Sequence, residues 1–208
     1  MVIHLIAPED KNKWNPIWHK CFKSIKRLPY DVLIWTDEKV DDLLKEDDTY
    51  FFNEYLDKLH PIYKWDYVRY IILEKYRGAY LDMDIEIINN FFPMLNPEKF
   101  YIKEGTLGSY LENSMMISQS PFFDGMWARV RTYCKNLIIN NFSRAMEDKT
   151  STIALAGPDA LTKFIIKNIK IKEDSENKKL FEILSHEHFG SLTNEVSFSR
   201  HYNLSTWS

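Results

Sequence analysis

Asp82 and Asp84, one residue apart in Leu81-Asp82-Met83-Asp84, are residues whose type and spacing suggest chemistry. Alternation along an extended strand turns both carboxylates to one side, where they can approach a single cation. Two oxygen ligands of this kind suit Mg²⁺ or Mn²⁺ held partly by the phosphates of a substrate. Upstream, Asp66 and Arg69 are three apart and share one helical face. Read from the residues alone they are a helix ion pair of about 0.2–0.5 kcal/mol.

Several elements must position these groups. Trp65, Val68, Ile72 and Tyr76 recur at helical spacing, with Ile71 adjoining the stripe. Pro61 suits the first turn of that helix and Gly78 its stop. Ala79 to Leu81 then predicts a short strand running into the two aspartates. Before it, Val2 to Ala7 (VIHLIA), bounded by Pro8, reads as a buried first strand. Trp14, Ile17, Trp18, Cys21, Phe22 and Ile25 form a core-facing helical stripe. Asp31 to Trp35 reads as a second strand, followed by Thr36-Asp37 and an acidic helix in which Glu46, Asp47 and Asp48 form a solvated charge cluster. This strand–helix–strand opening predicts a nucleotide-binding α/β sheet. After the aspartates, Ile85 to Ile88 continues outward and Pro93 and Pro97 mark a loop. Phe100 to Lys103 and Ser114 to Ser118 read as later strands, and Ser120-Pro121 opens an amphipathic helix through Met126, Val130, Cys134 and Ile138. Lys167 to Lys179 reads as a charged surface segment.

The 208 residues fit one domain, with enough chain to bury roughly 70% of its unfolded surface. A net charge of −3 points away from nucleic acid and anionic membranes as partners. Cys21 and Cys134 have no metal-ligand spacing and fit a reducing compartment. Met1 to Pro8 is too short for a signal sequence, and no apolar run approaches the ~18 residues of a membrane span. A soluble, cytoplasmic protein is therefore expected. The stop at Trp207-Ser208, directly after a motif, suggests a domain excised from a longer chain.

The pattern D-x-x-R-Y-x-x-L from Asp66, followed by Y-x-G-x-Y-L-D-x-D from Tyr76, resembles the core signature of GT-A glycosyltransferases with a DXD motif. It is most similar to glycosyltransferase family 32, which includes the fungal outer-chain mannosyltransferases, and to the related glucosylating toxins of clostridia. End to end, the chain also resembles the N-terminal transferase domain of chlorovirus-encoded multidomain glycosyltransferases. The resemblance implies one GT-A domain over residues 1–208, a Rossmann-like nucleotide-diphospho-sugar transferase with a mixed, mostly parallel central sheet flanked by helices. It implies Mn²⁺ or Mg²⁺, a nucleotide-sugar donor with uridine as the base, and transfer of a hexose or deoxyhexose to a glycan acceptor with retention. Further domains of a larger, virus-encoded chain would be partners.

The same resemblance assigns roles. Asp82 and Asp84 would be the catalytic and metal-binding pair, Asp82 directly or through water while accepting a ribose hydroxyl. Asp66 and Arg69 would hold donor-sugar hydroxyls, with Arg69 near the diphosphate. Ile6 and Ala7 stand in the family's base-contacting I-H-x-x-W opening, Ala7 replacing the tryptophan, and Trp35 is grouped with them. Tyr80 packs on the ribose or base, or in the core; Asn113 lies near the donor sugar, or is a turn residue. The tail from His201 carries N-x-S-x-W as Asn203, Ser205 and Trp207, and would close over the donor site. His201 is the first choice for a third metal ligand and Asn203 the second. Glu112 is a candidate nucleophile by position only, and a front-face course with the leaving phosphate as base needs none. Arg77-Gly78 replaces a family Gly-Gly and is expected to alter a turn. Ala156-Gly157-Pro158 with Thr162 matches T-G-P-x-x-x-T except at its first residue.

Other classes compete. A D-x-D after an apolar strand also begins the haloacid-dehalogenase phosphatases, but those expect Thr or Val where Glu86 stands. An EF-hand loop requires glycine where this chain has Ile87. A non-catalytic, lectin-like domain binding nucleotide sugar or glycan could keep the same site, and donor turnover with metal separates it from an enzyme.

Overall fold

The computed structural model describes residues 1–105, 110–169, 181–190 and 197–204. β1 (Val2–Ile6) lies between β2 (Asp31–Trp35) and β3 (Gly78–Leu81) and runs parallel to both. β6 (Leu111–Ser118) pairs antiparallel with β3 and with β5 (Phe100–Glu104), and β7 (Phe181–Leu184) closes the edge parallel to β5. The six-stranded order is β2-β1-β3-β6-β5-β7, a mixed sheet with most pairings parallel, as expected. A separate two-stranded ribbon joins β4 (Ile85–Ile87) to β8 (Ser199–His201).

Helices cover both faces, because alternate strand residues are apolar on each. Tyr80, Phe100, Ile102 and Met116 face a core shared with α2 (Asp37–Glu54), α3 (Ile62–Tyr76), α4 (Asp124–Asn140) and α7 (Pro158–Ile169). Ala79, Leu81, Met115 and Ile117 face the other core, with residues of α1 (Pro16–Ile25), the ribbon and α8 (His186–Phe189). Short helices α5 (Phe142–Glu147) and α6 (Thr152–Leu155) connect α4 to α7.

The passage from α3 into β3 sets the position of everything after it. Arg77 ends the helix at φ 55 and Gly78 follows at φ 99, so two consecutive residues take positive φ. Gly78 is required there, since a Cβ would stand 2.3 Å from the Val2 carbonyl oxygen of β1. Arg77 tolerates its conformation while its guanidinium holds Asp124 at 2.7 Å, tying the turn to α4.

Three expectations are corrected. α3 is buried nearly all round rather than along one stripe, and Tyr76 at its end is 47% exposed. β6 begins at Leu111, so Asn113 is inside a strand and is no turn residue. Asp47 and Asp48 are not free in solvent: they pair with Arg131 and Lys135 of α4, while Glu46 meets Lys75 at 2.9 Å. Most of the Lys167–Lys179 segment lies outside the described residues.

Candidate active site

A cleft of about 330 Å³ opens at the carboxyl ends of β1 and β3. Ile6, Ala7, Asp66, Arg69, Tyr80, Asp82, Asp84, Asn113, His201 and Asn203 all contribute to its lining. Trp35 stands apart from that lining: its Nε1 donates to His4 Nδ1 at 3.2 Å and its ring packs on Tyr76. Ser205 and Trp207 lie outside the described residues.

The two aspartates are brought to one side by a turn, not by strand alternation. β3 ends at Leu81, and the Ile85 amide donates to the Asp82 carbonyl at 3.1 Å. The Asp82 amide donates to Ser114 of β6 at 2.8 Å, which anchors the turn to the sheet. Beyond it, β4 pairs with β8 so that His201 stands opposite Ile85. The Tyr202 amide then donates to the Asp84 carbonyl at 3.1 Å. Asn203 turns left-handed at φ 49, and the next amide, of Leu204, donates to Asp84 Oδ2 at 2.8 Å.

The result is a cluster in which one ligand atom each from Asp82, Asp84 and His201 lies within 4.8 Å of the others. His201 Nε2 is 3.3 Å from Asp84 Oδ1, and its Nδ1 is 3.2 Å from Glu112 Oε2. Nδ1 is buried and faces Glu112 Oε2 without the alignment of a hydrogen bond. Two carboxylates and an imidazole suit a small divalent ion, the nitrogen tilting the preference toward Mn²⁺. These residues could hold the cation that the DXD resemblance implies.

The cluster's electrostatics follow from burial and neighbours. Burial pushes the Asp82 carboxyl up to about 6 against the pull of Arg69, and the Asp84 charge adds to the rise. For His201, burial would lower the imidazole, but Asp84 and Glu112 outweigh it and carry it up to about 9. Glu112 moves the other way: burial would raise it, while His201 and Lys103 hold it down to about 2.

Arg69 and Asp66 form the second wall. Arg69 Nη2 pairs with Asp66 Oδ1 at 3.0 Å, Nη1 lies 3.5 Å from Asp82 Oδ1, and Nη1 also donates to the Asn113 carbonyl at 3.0 Å. Asp66 accepts from Asn113 Nδ2 and Thr152 Oγ1, both at 3.0 Å. Tyr80 donates its hydroxyl to Asp82 Oδ1 at 2.6 Å, and its ring lies under the Arg69 guanidinium at 4.8 Å. Gly157 passes so close that a Cβ there would be 3.2 Å from Asp66 Oδ2. Thr162 of the same Gly-Pro segment accepts from the Leu111 amide at 2.8 Å and fixes the start of β6.

Sequence reasoning missed several members. Trp18, Trp65, Ile62, Ile153 and Pro158 add apolar surface to the cleft. Thr152 gave no signal. Lys103 did: a lysine directly after the apolar Phe100–Ile102 of a strand must find a partner, and it pairs with Glu112.

Comparisons with known proteins point to the same resemblance. Residues 11–101 match the family model described as a glycosyltransferase sugar-binding region containing a DXD motif, a span that includes Asp66, Arg69, Asp82 and Asp84. The resemblance to DXD-containing, family 32-like glycosyltransferases is thereby borne out. Among particular proteins, the chain is 30% identical over 112 residues to mannosyl phosphorylinositol ceramide synthase CSH1 of Saccharomyces cerevisiae, covering 53% of this chain and 29% of that one. It is 36% identical over 88 residues to inositol phosphoceramide mannosyltransferase 3 of Schizosaccharomyces pombe, covering 42% and 24%. The chain thus spans less than a third of the length of either relative. The solved PaToxG glycosyltransferase shares the fold at TM-score 0.59 and 16% identity, covering 86% of this chain and 72% of that one. The glycosyltransferase involved in glycosylating the major capsid of PBCV-1 superposes at TM-score 0.48 and 8% identity, covering 98% of this chain and 94% of that one. Among the described residues, no helix is long and apolar enough to cross a membrane.

Proposed function

We propose that the chain is a metal-dependent glycosyltransferase acting on a nucleotide-diphosphate sugar, with uridine as the base on the resemblance, and a glycan acceptor. The observation that carries the reading is the Asp82–Asp84–His201 cluster lying beside Arg69 in one cleft. Asp84 and His201, with Asp82, would hold the cation, which when bound neutralises charge growing on the leaving diphosphate and orients the donor. Arg69 contributes a fixed positive charge next to Asp82, and Asp66 with Asn113 holds that guanidinium in place. Tyr80 restrains Asp82 through its hydroxyl. The apolar lining residues Trp18 and Trp65 would exclude water from the bound donor.

Transfer proceeds with retention by a front-face course. The acceptor hydroxyl attacks the anomeric carbon on the face the diphosphate leaves, and a leaving phosphate oxygen takes its proton. The names of the fungal relatives put mannose first among the hexoses and deoxyhexoses to be tried as the transferred sugar. A cytoplasmic setting suits Cys21 and Cys134, which are buried free thiols.

The test is a panel of nucleotide sugars assayed for donor hydrolysis and transfer with Mn²⁺, Mg²⁺ or chelator. Turnover is expected with metal only, and Asp84→Asn is expected to lower it by about a hundredfold or more while remaining folded. Full activity in excess chelator would reject the metal role. Donor binding without turnover on any donor would favour a non-catalytic sugar-binding domain.

A further inference from the structure

Glu112 was a candidate nucleophile by position, yet its surroundings are those of a supporting group. The β5–β6 ladder shifts register between Ile102 and Lys103, so that Ile102 faces Met116 while Lys103 faces Glu112. That irregularity puts the lysine directly across from the glutamate, both nearly sealed from solvent at 1% and 7% exposure. Lys103 Nζ pairs with Glu112 Oε2, and Ser114 Oγ donates to the same oxygen at 3.0 Å. His201 Nδ1 faces that oxygen at 3.2 Å, while the opposite ring nitrogen faces Asp84.

A histidine can give only one nitrogen lone pair to a cation, and the group facing the other nitrogen decides which. We propose that Glu112, clamped by Lys103 and Ser114, is a positioning residue that keeps the proton of His201 on Nδ1 and turns Nε2 toward the cation site. The inference rests on the proposed metal site of Asp82, Asp84 and His201, and adds the buried pair that orients it. Lys103 prevents Glu112 from approaching the cation itself, because its ammonium already neutralises the carboxylate. The pair costs desolvation, and a simpler apolar pair would fill the same space. Orientation of His201 is what the apolar pair could not provide.

The experiment measures Mn²⁺ binding directly, by titration of the ion, and its nitrogen coupling by pulsed electron paramagnetic resonance on protein with isotope-labelled histidine. Removing one partner strands a buried charge, so both are changed together. Lys103→Met/Glu112→Leu should stay folded but bind Mn²⁺ about ten- to a hundredfold more weakly, with the imidazole coupling diminished. Lys103→Met/Glu112→Gln keeps a polar oxygen facing Nδ1 and should recover the coupling and most of the affinity. Mn²⁺ affinity and coupling unchanged in the leucine variant would overturn the inference while leaving the metal site intact. So would a glutamine variant as impaired as the leucine one. If the leucine variant binds Mn²⁺ normally but loses all transfer, Glu112 acts on the substrate and the positioning role is wrong. Wild-type protein that binds no Mn²⁺ would remove the metal site and the inference together.

Discussion

Asp66→Asn tests whether the Asp66–Arg69 pair is part of the scaffold or a pair of sugar contacts. Asp66 is 1% exposed, and its two oxygens are engaged by Arg69, Asn113 and Thr152. These partners come from α3, β6 and α6, so one carboxylate joins three elements around the cleft. The amide keeps the shape but removes the charge facing Arg69, and it turns an NH₂ toward a group that also donates. Breaking one side of a buried pair costs about 3–5 kcal/mol. For a domain of this size each kcal/mol moves the melting temperature by roughly 2–4 °C, giving a fall of about 6–20 °C. Thr152→Ala, which removes one neutral hydrogen bond, should cost only about 1 kcal/mol. Melting is followed by circular dichroism, and donor affinity is measured well below the transition on the same preparations. A variant that melts within about 2 °C of wild type but loses nucleotide-sugar affinity would refute the scaffold argument and make Asp66 a donor contact.

Other perturbations give outcomes of known sign. Because Asp84 and Glu112 carry His201 up to about 9, Mn²⁺ must displace a proton near neutrality. Apparent affinity should therefore rise about tenfold per pH unit from 7 to 8 in titrations, and His201→Ala should flatten that slope. Gly78→Ala places a Cβ 2.3 Å from the Val2 carbonyl oxygen at φ 99, and should lower the melting temperature by at least about 5 °C and impair turnover, since the turn of the two aspartates follows β3 directly. Arg77→Gly removes positive-φ strain and also the Asp124 pair, so its melting temperature should change by less than about 4 °C.

What could be read from the sequence was local. The helix of Asp66 and Arg69, the glycine stop, the short strand and the two aspartates are consecutive, and each has a period or a breaker to mark it. The opening β1–α1–β2 unit was equally legible. What escaped depended on partners far along the chain. Asn113 reads equally as a donor contact or a turn residue because nothing local shows that β6 extends back to Leu111, where Thr162 fixes it. Asp47 and Asp48 read as solvated because Arg131 and Lys135 are more than eighty residues away. The same-side placement of Asp82 and Asp84 was right in outcome for the wrong reason, since a turn rather than a strand produces it.

The Asp82–Asp84–His201 cluster is a product of registers more than of a motif. Gly78 lets β3 lie against β1, and the Asp82 amide locks the end of β3 to Ser114 of β6. The register shift inside the β5–β6 ladder then sets Glu112 opposite Lys103. Independently, the β4–β8 ribbon puts His201 across from Ile85, one residue beyond Asp84. A slip of one residue in that ribbon would turn every β8 side chain to the opposite face and take the imidazole away from both Asp84 and Glu112. The ribbon resists the slip because Ile85 and Ile87 are buried on one side, while Glu86 on the other is held by Lys20 at 2.9 Å and Tyr202 at 2.8 Å. Lys20 and Tyr202 thus help to hold the alignment that brings His201 to the aspartates.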